Sequence, residues 1–215
     1  MTDQTLQDER REYLNSALDR SDLTDNPFEF FQLWLAQARR HAKDATAMSL
    51  ATADQEGWPS VRTVLLKDVN EQGFVWFTDT ESQKGRELLA NPKAEIHFYW
   101  HALERQVRIQ GTVTRVDETM ADKYFQSRPL GSRLSAVASH QSAPVDSRET
   151  LEAAIASLQA EYPDEQVPKP ARWGGFCLEP LKIEFWQGRE SRLHDRFVYR
   201  RDTASSPWNI SRIQP

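Results

Sequence analysis

Cysteine is almost absent. Cys177 is the single one, so no internal disulfide can form, and a reducing, cytoplasmic setting is expected. Glycine is scarce: there are eight in 215 residues, and only Gly174 and Gly175 are adjacent. No G-x-G-x-x-G and no G-x-x-x-x-G-K-[ST] occurs, which argues against a glycine loop around a phosphate. No apolar run approaches the roughly 20 residues needed to span a bilayer. The opening "MTDQTLQDERREY" is too polar to read as a signal peptide. Positive charge is in deficit, with 27 Lys plus Arg against 32 Asp plus Glu and a net charge of -5. That balance disfavours general binding to nucleic acid or to a membrane surface. Metal ligands are sparse as well. His97 and His101 would share a strand face, but no third ligand follows at a usable spacing. With no G-x-S-x-G, and with Cys177 in an apolar strand-like run, covalent catalysis by Ser or Cys has no support.

Aromatic residues are plentiful, with seven Trp and ten Phe. They suit a packed core, an interface, or a pocket for a flat ligand. Residues 1–24 are polar and charged and read as a mobile arm with some helix; residues 25–215 read as one domain. A helix is expected over "DNPFEFFQLWLAQARRHA", capped by Asp25 or Asn26 with Pro27 in its first turn. Phe28, Phe31, Leu35, Ala38 and Ala42 follow its period. Strands are expected at 47–54, 60–68, 73–79, "AEIHFYWHA", "RQVRIQGTVTRVD", around Pro180 and at "DRFVYRR", with a short turn at "VNEQ". Val107, Ile109, Gly111 and Val113 alternate with Gln106, Arg108, Gln110 and Thr112. Short helices are expected at 82–92, 117–129 and 147–162, the last with Leu151, Ile155 and Leu158 as its stripe. Many strands joined by short turns, with helices inserted and no β-α-β alternation, point to a mainly β chain with α (α+β), an antiparallel barrel with peripheral helices.

Without a glycine loop, a phosphate must be held by side chains. Arg62 and Lys67 bracket "RTVLLK". Thr78, Ser82 and Lys84 lie between a strand end and a helix start, where backbone N–H groups also favour an anion. Tyr124, Arg128, Ser132 and Arg133 are spaced along "KYFQSRPLGSR". Arg192, His194 and Arg196 follow i, i+2, i+4, and would point one way if that stretch were extended. A single surface cation is usually just solvated. The joint pattern, cations at strand ends with hydroxyl donors beside them in an acidic chain, favours a phosphorylated and planar small molecule.

Several segments resemble the pyridoxamine (pyridoxine) 5'-phosphate oxidase family. They are "RREY" (10–13), "RTVLLK" (62–67), "FTDTESQK" (77–84), "ERQVRIQG" (104–111), "YFQSRPLGS" (124–132), "ASHQS" (138–142), "WGGFCLEP" (173–180), "IEFWQGRESRLHDR" (183–196) and the ending "PWNISRIQP". They run in order along almost the whole chain. The resemblance implies an FMN-binding split β-barrel over 25–215, including a C-terminal dimerisation and substrate region, with 1–24 as an arm able to act as a lid. It implies a homodimer with FMN in clefts at the subunit interface. It implies oxidation of pyridoxamine 5'-phosphate or pyridoxine 5'-phosphate to pyridoxal 5'-phosphate, with O2 as acceptor and hydrogen peroxide as product. By position, Arg62, Thr63, Val64, Leu65, Leu66 and Lys67 resemble the FMN segment. Phe77, Thr78, Gln83, Lys84, Gln106, Gln141, Ser142, Trp186 and Arg196 resemble further flavin contacts. Lys67, Tyr124, Arg128 and Ser132 resemble the substrate-phosphate pocket. Arg192, Leu193 and His194 resemble the group that closes over the pyridine ring, with Arg192 and His194 as the catalytic pair. Arg10 and Tyr13 resemble the lid.

Two positions and one stretch depart from the family. Gln83 stands where many members have Arg, and Phe77 where Tyr is frequent. The basic run after "RREY" is reduced to "LNSALDRSD". Rival expectations are a related FMN oxidase or reductase with another substrate, and a non-catalytic carrier of pyridoxal phosphate or flavin. Peroxide release separates the carrier from the enzymes, and substrate profiling separates the enzymes from each other.

Overall fold

The structure is a computed structural model that describes residues 12–14 and 16–215. Arg10 lies outside the described residues. After a 3-10 turn at Arg20–Asp22, the chain runs α1 (Pro27–His41), β1 (Ala47–Ala53), β2 (Pro59–Leu65), β3 (Asp68–Asn70), β4 (Gly73–Asp79), α2 (Gln83–Ala90), β5 (Lys93–Trp100) and β6 (Arg105–Arg115). It continues as α3 (Glu118–Gln126), α4 (Leu130–Ala138), α5 (Arg148–Glu161), β7 (Trp173–Gln187), β8 (Asp195–Arg200) and β9 (Asn209–Arg212). The strand order is β2-β1-β5-β6-β7-β4-β3, with β8 on β7 and β9 on β8. The expectation of a mainly β chain with inserted helices holds. No described helix is long and apolar enough to cross a membrane. Among the described residues no group of three or more His, Cys, Asp or Glu is arranged to hold a metal ion.

The chain divides into two compact units. One comprises Met1–Met48, Ile96–Gln110 and Pro180–Pro215. Here α1 starts as the sequence suggests: Asn26 Oδ1 accepts the Phe28 N–H at 2.9 Å and Pro27 occupies the first turn. Its buried face is Pro27, Phe30, Phe31, Trp34, Leu35 and Ala38, rotated from the expected stripe. Phe28 is half-buried and Ala42 is the C-cap. The rotation follows the aromatics, since Phe30 and Trp34 meet Phe185 edge-on with centroids 4.7 and 5.3 Å away. His97 bonds Gln106 at 2.9 Å, while His101 has left the strand for a 3-10 turn, so the two do not share a strand face.

The other unit comprises Ser49–Glu95 and Gly111–Glu179. In it β4 pairs antiparallel with β7, setting Phe77 opposite Gly175, Thr78 opposite Gly174 and Asp79 opposite Trp173. The adjacent glycines have a packing reason. A Cβ on Gly175 would lie 2.7 Å from the Phe77 ring and 2.9 Å from Val116. Two boundaries differ from expectation. Asp68–Asn70 is paired as β3 with β4, which shortens the turn expected at 69–72. The helix expected over 117–129 ends at Gln126, and a separate helix, α4, follows. A satellite core of Phe125, Leu134, Val167 and Trp173 forms beneath α3, α4 and α5, joined by Ile155 and Leu158.

Candidate active site

The corner between β4 and α2 builds a cationic pocket. Ser82 caps α2, its Oγ accepting the Gly85 N–H at 3.4 Å. Lys84, on the first turn, is only 6% exposed. Its Nζ donates to Gln141 Oε1 at 2.6 Å, Thr78 Oγ1 at 3.1 Å and Ser82 Oγ at 3.2 Å. All three acceptors are neutral. Burial and then the Arg62 charge lower the Lys84 pKa to about 8, against a smaller opposing pull from Asp79 and Glu87.

Arg62 projects from β2. Its guanidinium donates to Ser60 Oγ at 2.5 Å, the Leu50 carbonyl at 3.2 Å, Thr52 Oγ1, and Glu87 Oε2 at 3.2 Å. Glu87 is buried on α2. Burial alone would raise its pKa. Hydrogen bonds from Thr52, Ser60 and Gln83, with the Arg62 charge, outweigh that and bring it down to about 2. The Gln83 amide donates to Glu87 Oε1 at 2.8 Å, while the Gln83 N–H reaches Ser142 Oγ at 3.2 Å.

Of these groups, Ser60, Arg62, Thr78, Gln83, Lys84, Gln141 and Ser142 line a cavity of about 860 Å³. Lys67, Tyr124, Arg128 and Ser132 line the same cavity. Phe77 stacks on Tyr124 at 4.1 Å and on Trp173 at 5.6 Å, with interplanar angles of 17° and 4°. The Arg128 guanidinium lies 5.0 Å from the Trp173 ring centroid, and its Nη1 is buried with no hydrogen-bond partner among the described residues. An unpartnered guanidinium nitrogen and a buried ammonium held only by neutral oxygens fit an anionic ligand. The aromatic stack fits a flat one.

The structure therefore brings together Arg62, Thr63, Val64, Leu65, Lys67, Phe77, Thr78, Gln83, Lys84, Tyr124, Arg128, Ser132, Gln141 and Ser142 around one cavity. Leu66 faces the core, at 5% exposure, and is not among the lining residues.

Gln106, Trp186, Arg192, Leu193, His194, Arg196 and Tyr13 belong to the other compact unit. The stretch from Arg192 to Arg196 is not extended throughout, as a common facing of Arg192, His194 and Arg196 requires. Glu190–Arg192 is a 3-10 turn in which Ser191 and Arg192 take positive φ, 54° and 63°, and the strand begins only at Asp195. The His194 ring packs against Trp186 at 4.6 Å and Tyr13 at 5.4 Å. His194 Nδ1 accepts the Arg189 N–H at 3.1 Å. The neutral ring thus carries its proton on Nε2. Burial, then Arg192 and Arg196, lower its pKa, with Asp195 opposing. Arg196 binds the 1%-exposed Glu184 through Nε at 2.9 Å and Nη2 at 2.6 Å. Gln106 bonds His97, and Leu193 is 70% exposed. Asp195 holds the loop's base. Its carboxylate accepts the Leu18 N–H at 3.1 Å, Arg189 Nη1 at 3.5 Å, and Arg212.

Sequence reasoning does not find Glu87 or Arg172. Glu87 has a usable signal, since it lies four residues after Gln83 on one face of α2. Arg172 has no comparable one.

Comparison with known proteins agrees with this chemistry. Residues 35–162 match the family model "Pyridoxamine 5'-phosphate oxidase", and residues 173–215 match "Pyridoxine 5'-phosphate oxidase C-terminal dimerisation region". A pyridoxine/pyridoxamine 5'-phosphate oxidase of Burkholderia thailandensis is 51% identical over 98% of this chain and 99% of its own length. One of Burkholderia mallei is 50% identical over the same shares. Among solved structures, PhzG from Burkholderia lata, in complex with tetrahydrophenazine-1-carboxylic acid, is 33% identical with a TM-score of 0.84. It covers 91% of this chain and 95% of its own. A pyridoxamine 5'-phosphate oxidase-related, FMN binding protein from Nostoc punctiforme, 20% identical, has a TM-score of 0.72 over 90% of this chain and all of its own, and shares the split-barrel fold. Two family models and full-length relatives at half identity, on a cavity that suits a flat anion, lead to one statement: the chain belongs to the pyridoxamine 5'-phosphate oxidase family.

Proposed function

We propose that this protein, as a homodimer, oxidises pyridoxamine 5'-phosphate and pyridoxine 5'-phosphate to pyridoxal 5'-phosphate with FMN, and passes the electrons to O2. The observation that carries this is the cavity that combines Lys84, Arg62, Lys67 and Arg128 with a planar aromatic stack. When bound, FMN supplies the two-electron acceptor. Its phosphate is held by Lys84 and Arg62, with Thr78, Gln141 and Ser142 as hydroxyl and amide partners. Lys67, Arg128, Tyr124 and Ser132 hold the substrate phosphate. The two phosphomonoesters carry roughly three to four negative charges near neutral pH, which these cations offset.

Oxidation at the substrate's C4' carbon removes two electrons and two protons, and O2 takes them up as hydrogen peroxide. For the amine substrate, water replaces ammonia at the same carbon. His194 acts as a donor through Nε2–H and orients the substrate's reacting substituent, because Nδ1 is already occupied by the Arg189 N–H. Arg192 covers the substrate's pyridine ring, and Tyr13 packs edge-on against Trp186 and His194 in the same compact unit.

The test is a visible spectrum of the purified protein, followed by pyridoxamine 5'-phosphate in air with peroxide detection. A yellow protein that releases peroxide is expected. A colourless protein that takes up no added FMN would sink the proposal. Arg62→Ala should lose flavin first, and Arg192→Ala should keep its colour and lose turnover. The likeness to PhzG favours a second reading, oxidation of a phenazine-type acid, whose carboxylate the same cations could hold. Turnover of that acid with none of either pyridoxine vitamer would select it.

A further inference from the structure

We propose that Arg172 is a positioning residue: it locks the 139–142 turn so that Gln141 meets Lys84, and thereby sets the affinity of the cofactor-phosphate site. This rests on the FMN reading above. Arg172 lies in the Pro-rich loop before β7, one residue ahead of the "WGGFCLEP" segment and outside it. Its Nη2 donates to the carbonyls of Ala136 at 3.1 Å, Val137 at 2.7 Å and Ser139 at 3.0 Å. Those are the open carbonyls at the C-terminus of α4, where a cation also meets the negative end of the helix dipole. Its Nε donates to Asp79 Oδ2 at 3.1 Å. The same Asp79 oxygen accepts the Gln141 N–H at 3.4 Å. The Arg172 carbonyl accepts both the N–H and the Oγ1–H of Thr80, at 2.7 and 2.8 Å. One residue therefore ties together the end of α4, the turn that carries Gln141 and the corner after β4.

The turn needs such a tie. Ser142 sits at φ 72°, in the left-handed region that disfavours a non-glycine residue, and α4 ends without a glycine. What the turn delivers is specific. Gln141 Oε1 accepts from both Lys84 Nζ at 2.6 Å and Thr78 Oγ1 at 2.9 Å, and Ser142 Oγ accepts the Gln83 N–H. Without the guanidinium, three carbonyls lose this donor, and Asp79 Oδ2 keeps the Gln141 N–H but loses its charged partner. Among the described residues, the turn is then held against Lys84 only by the bonds that Gln141 and Ser142 themselves make.

The test is a double-mutant cycle on the full-length protein, read as FMN affinity by quenching of flavin fluorescence. Arg172→Met should weaken FMN binding by about tenfold, the worth of one charge-assisted hydrogen bond. Arg172→Lys, which can keep the Asp79 pair but not the fork onto the helix, should fall between Arg172→Met and the parent. In a Gln141→Ala background, Arg172→Met should add less than about twofold. An unchanged affinity in Arg172→Met, or an equal loss in both backgrounds, overturns the proposal. If far-UV circular dichroism shows that Arg172→Met does not fold, Arg172→Lys carries the cycle under the same criteria. If the parent itself binds no FMN, the functional reading falls instead. Amide exchange in the ligand-free protein then decides. Faster exchange at 139–143 in the variant, with β4 unchanged, sustains the role of Arg172, and equal exchange removes it.

Discussion

Lys84 is an ammonium in a buried place with no carboxylate in direct contact among the described residues, and its pKa of about 8 records that cost. Against an ordinary value of 10.5, the unfolded chain binds more protons between about pH 8 and 10.5, so the ligand-free protein gains stability from this group as pH rises through that window. A phosphate dianion reverses the preference by favouring the charged form. FMN binding near pH 8.5 should therefore take up a proton, and affinity should fall as pH rises above about 8. Calorimetry in two buffers of different ionisation enthalpy measures the uptake, which Lys84→Met should abolish. Gln83 serves Glu87, so a Gln83→Arg variant adds a cation at the same corner. Its FMN dissociation constant should fall severalfold, by about the 1–2 kcal/mol of one further charge-assisted contact. At His194, a side-chain amide nitrogen can stand in for one ring nitrogen. His194→Gln places its amide nearer the Nε2 position and should retain more turnover than His194→Asn, which places it nearer Nδ1. Equal loss in both, together with a pH–rate inflection that disappears with the ring, would identify His194 as a base instead.

Among the elements, those with strong local signals are legible in the sequence. β6 reads from its alternation, α1 from Asn26-Pro27, and α2 from Ser82 ahead of a stop at Asn91-Pro92. α4 is not legible. Its N-cap is Pro129, with no side-chain cap bond, and its sequence "LGSRLSAVA" contains a glycine and two serines. Burial of Leu134 and the Arg172 guanidinium hold it, and both act across long sequence separations. The turn at 190–192 is hidden for a similar reason. Positive φ at Ser191 and Arg192 leaves no glycine in the sequence to announce it, and Asp195, Arg189 and Arg212 keep its base in place. The site residues follow the same division: side chains on β2, β4 and α2 can be read, while the turn that presents Gln141 comes only by resemblance. The β4–β7 pairing gives an element-scale prediction. In Gly175→Ala the new Cβ would meet the Phe77 ring at 2.7 Å with Val116 behind it. Overpacking of this kind costs about 1–3 kcal/mol, so a lower Tm and a changed near-UV dichroism from the Phe77–Tyr124–Trp173 stack are expected. An unchanged near-UV spectrum would mean that the stack does not depend on this glycine.

For the whole molecule, net charge and local charge have opposite signs. The chain carries -5 overall, yet its cavity is lined by Arg62, Lys67, Lys84 and Arg128. The net charge does not draw an anionic ligand to this protein. Affinity must come from contacts inside the cavity, at distances shorter than the roughly 8–10 Å over which salt screens charge. This gives two linked expectations. Riboflavin, which keeps the flat ring system of FMN but lacks its phosphate, should bind at least about 100-fold more weakly, the loss of one to two charge-assisted hydrogen bonds. Raising the salt from about 0.05 to 0.5 M should weaken FMN binding much less than removing the phosphate does, because partly buried pairs are screened less than exposed ones. Fluorescence titration of both ligands at both salt concentrations gives the four constants needed. Equal constants for riboflavin and FMN would show that the cavity's cations hold no phosphate. A loss with salt as large as the loss with the phosphate would place the binding charge on the exposed surface rather than at Lys84 and Arg62.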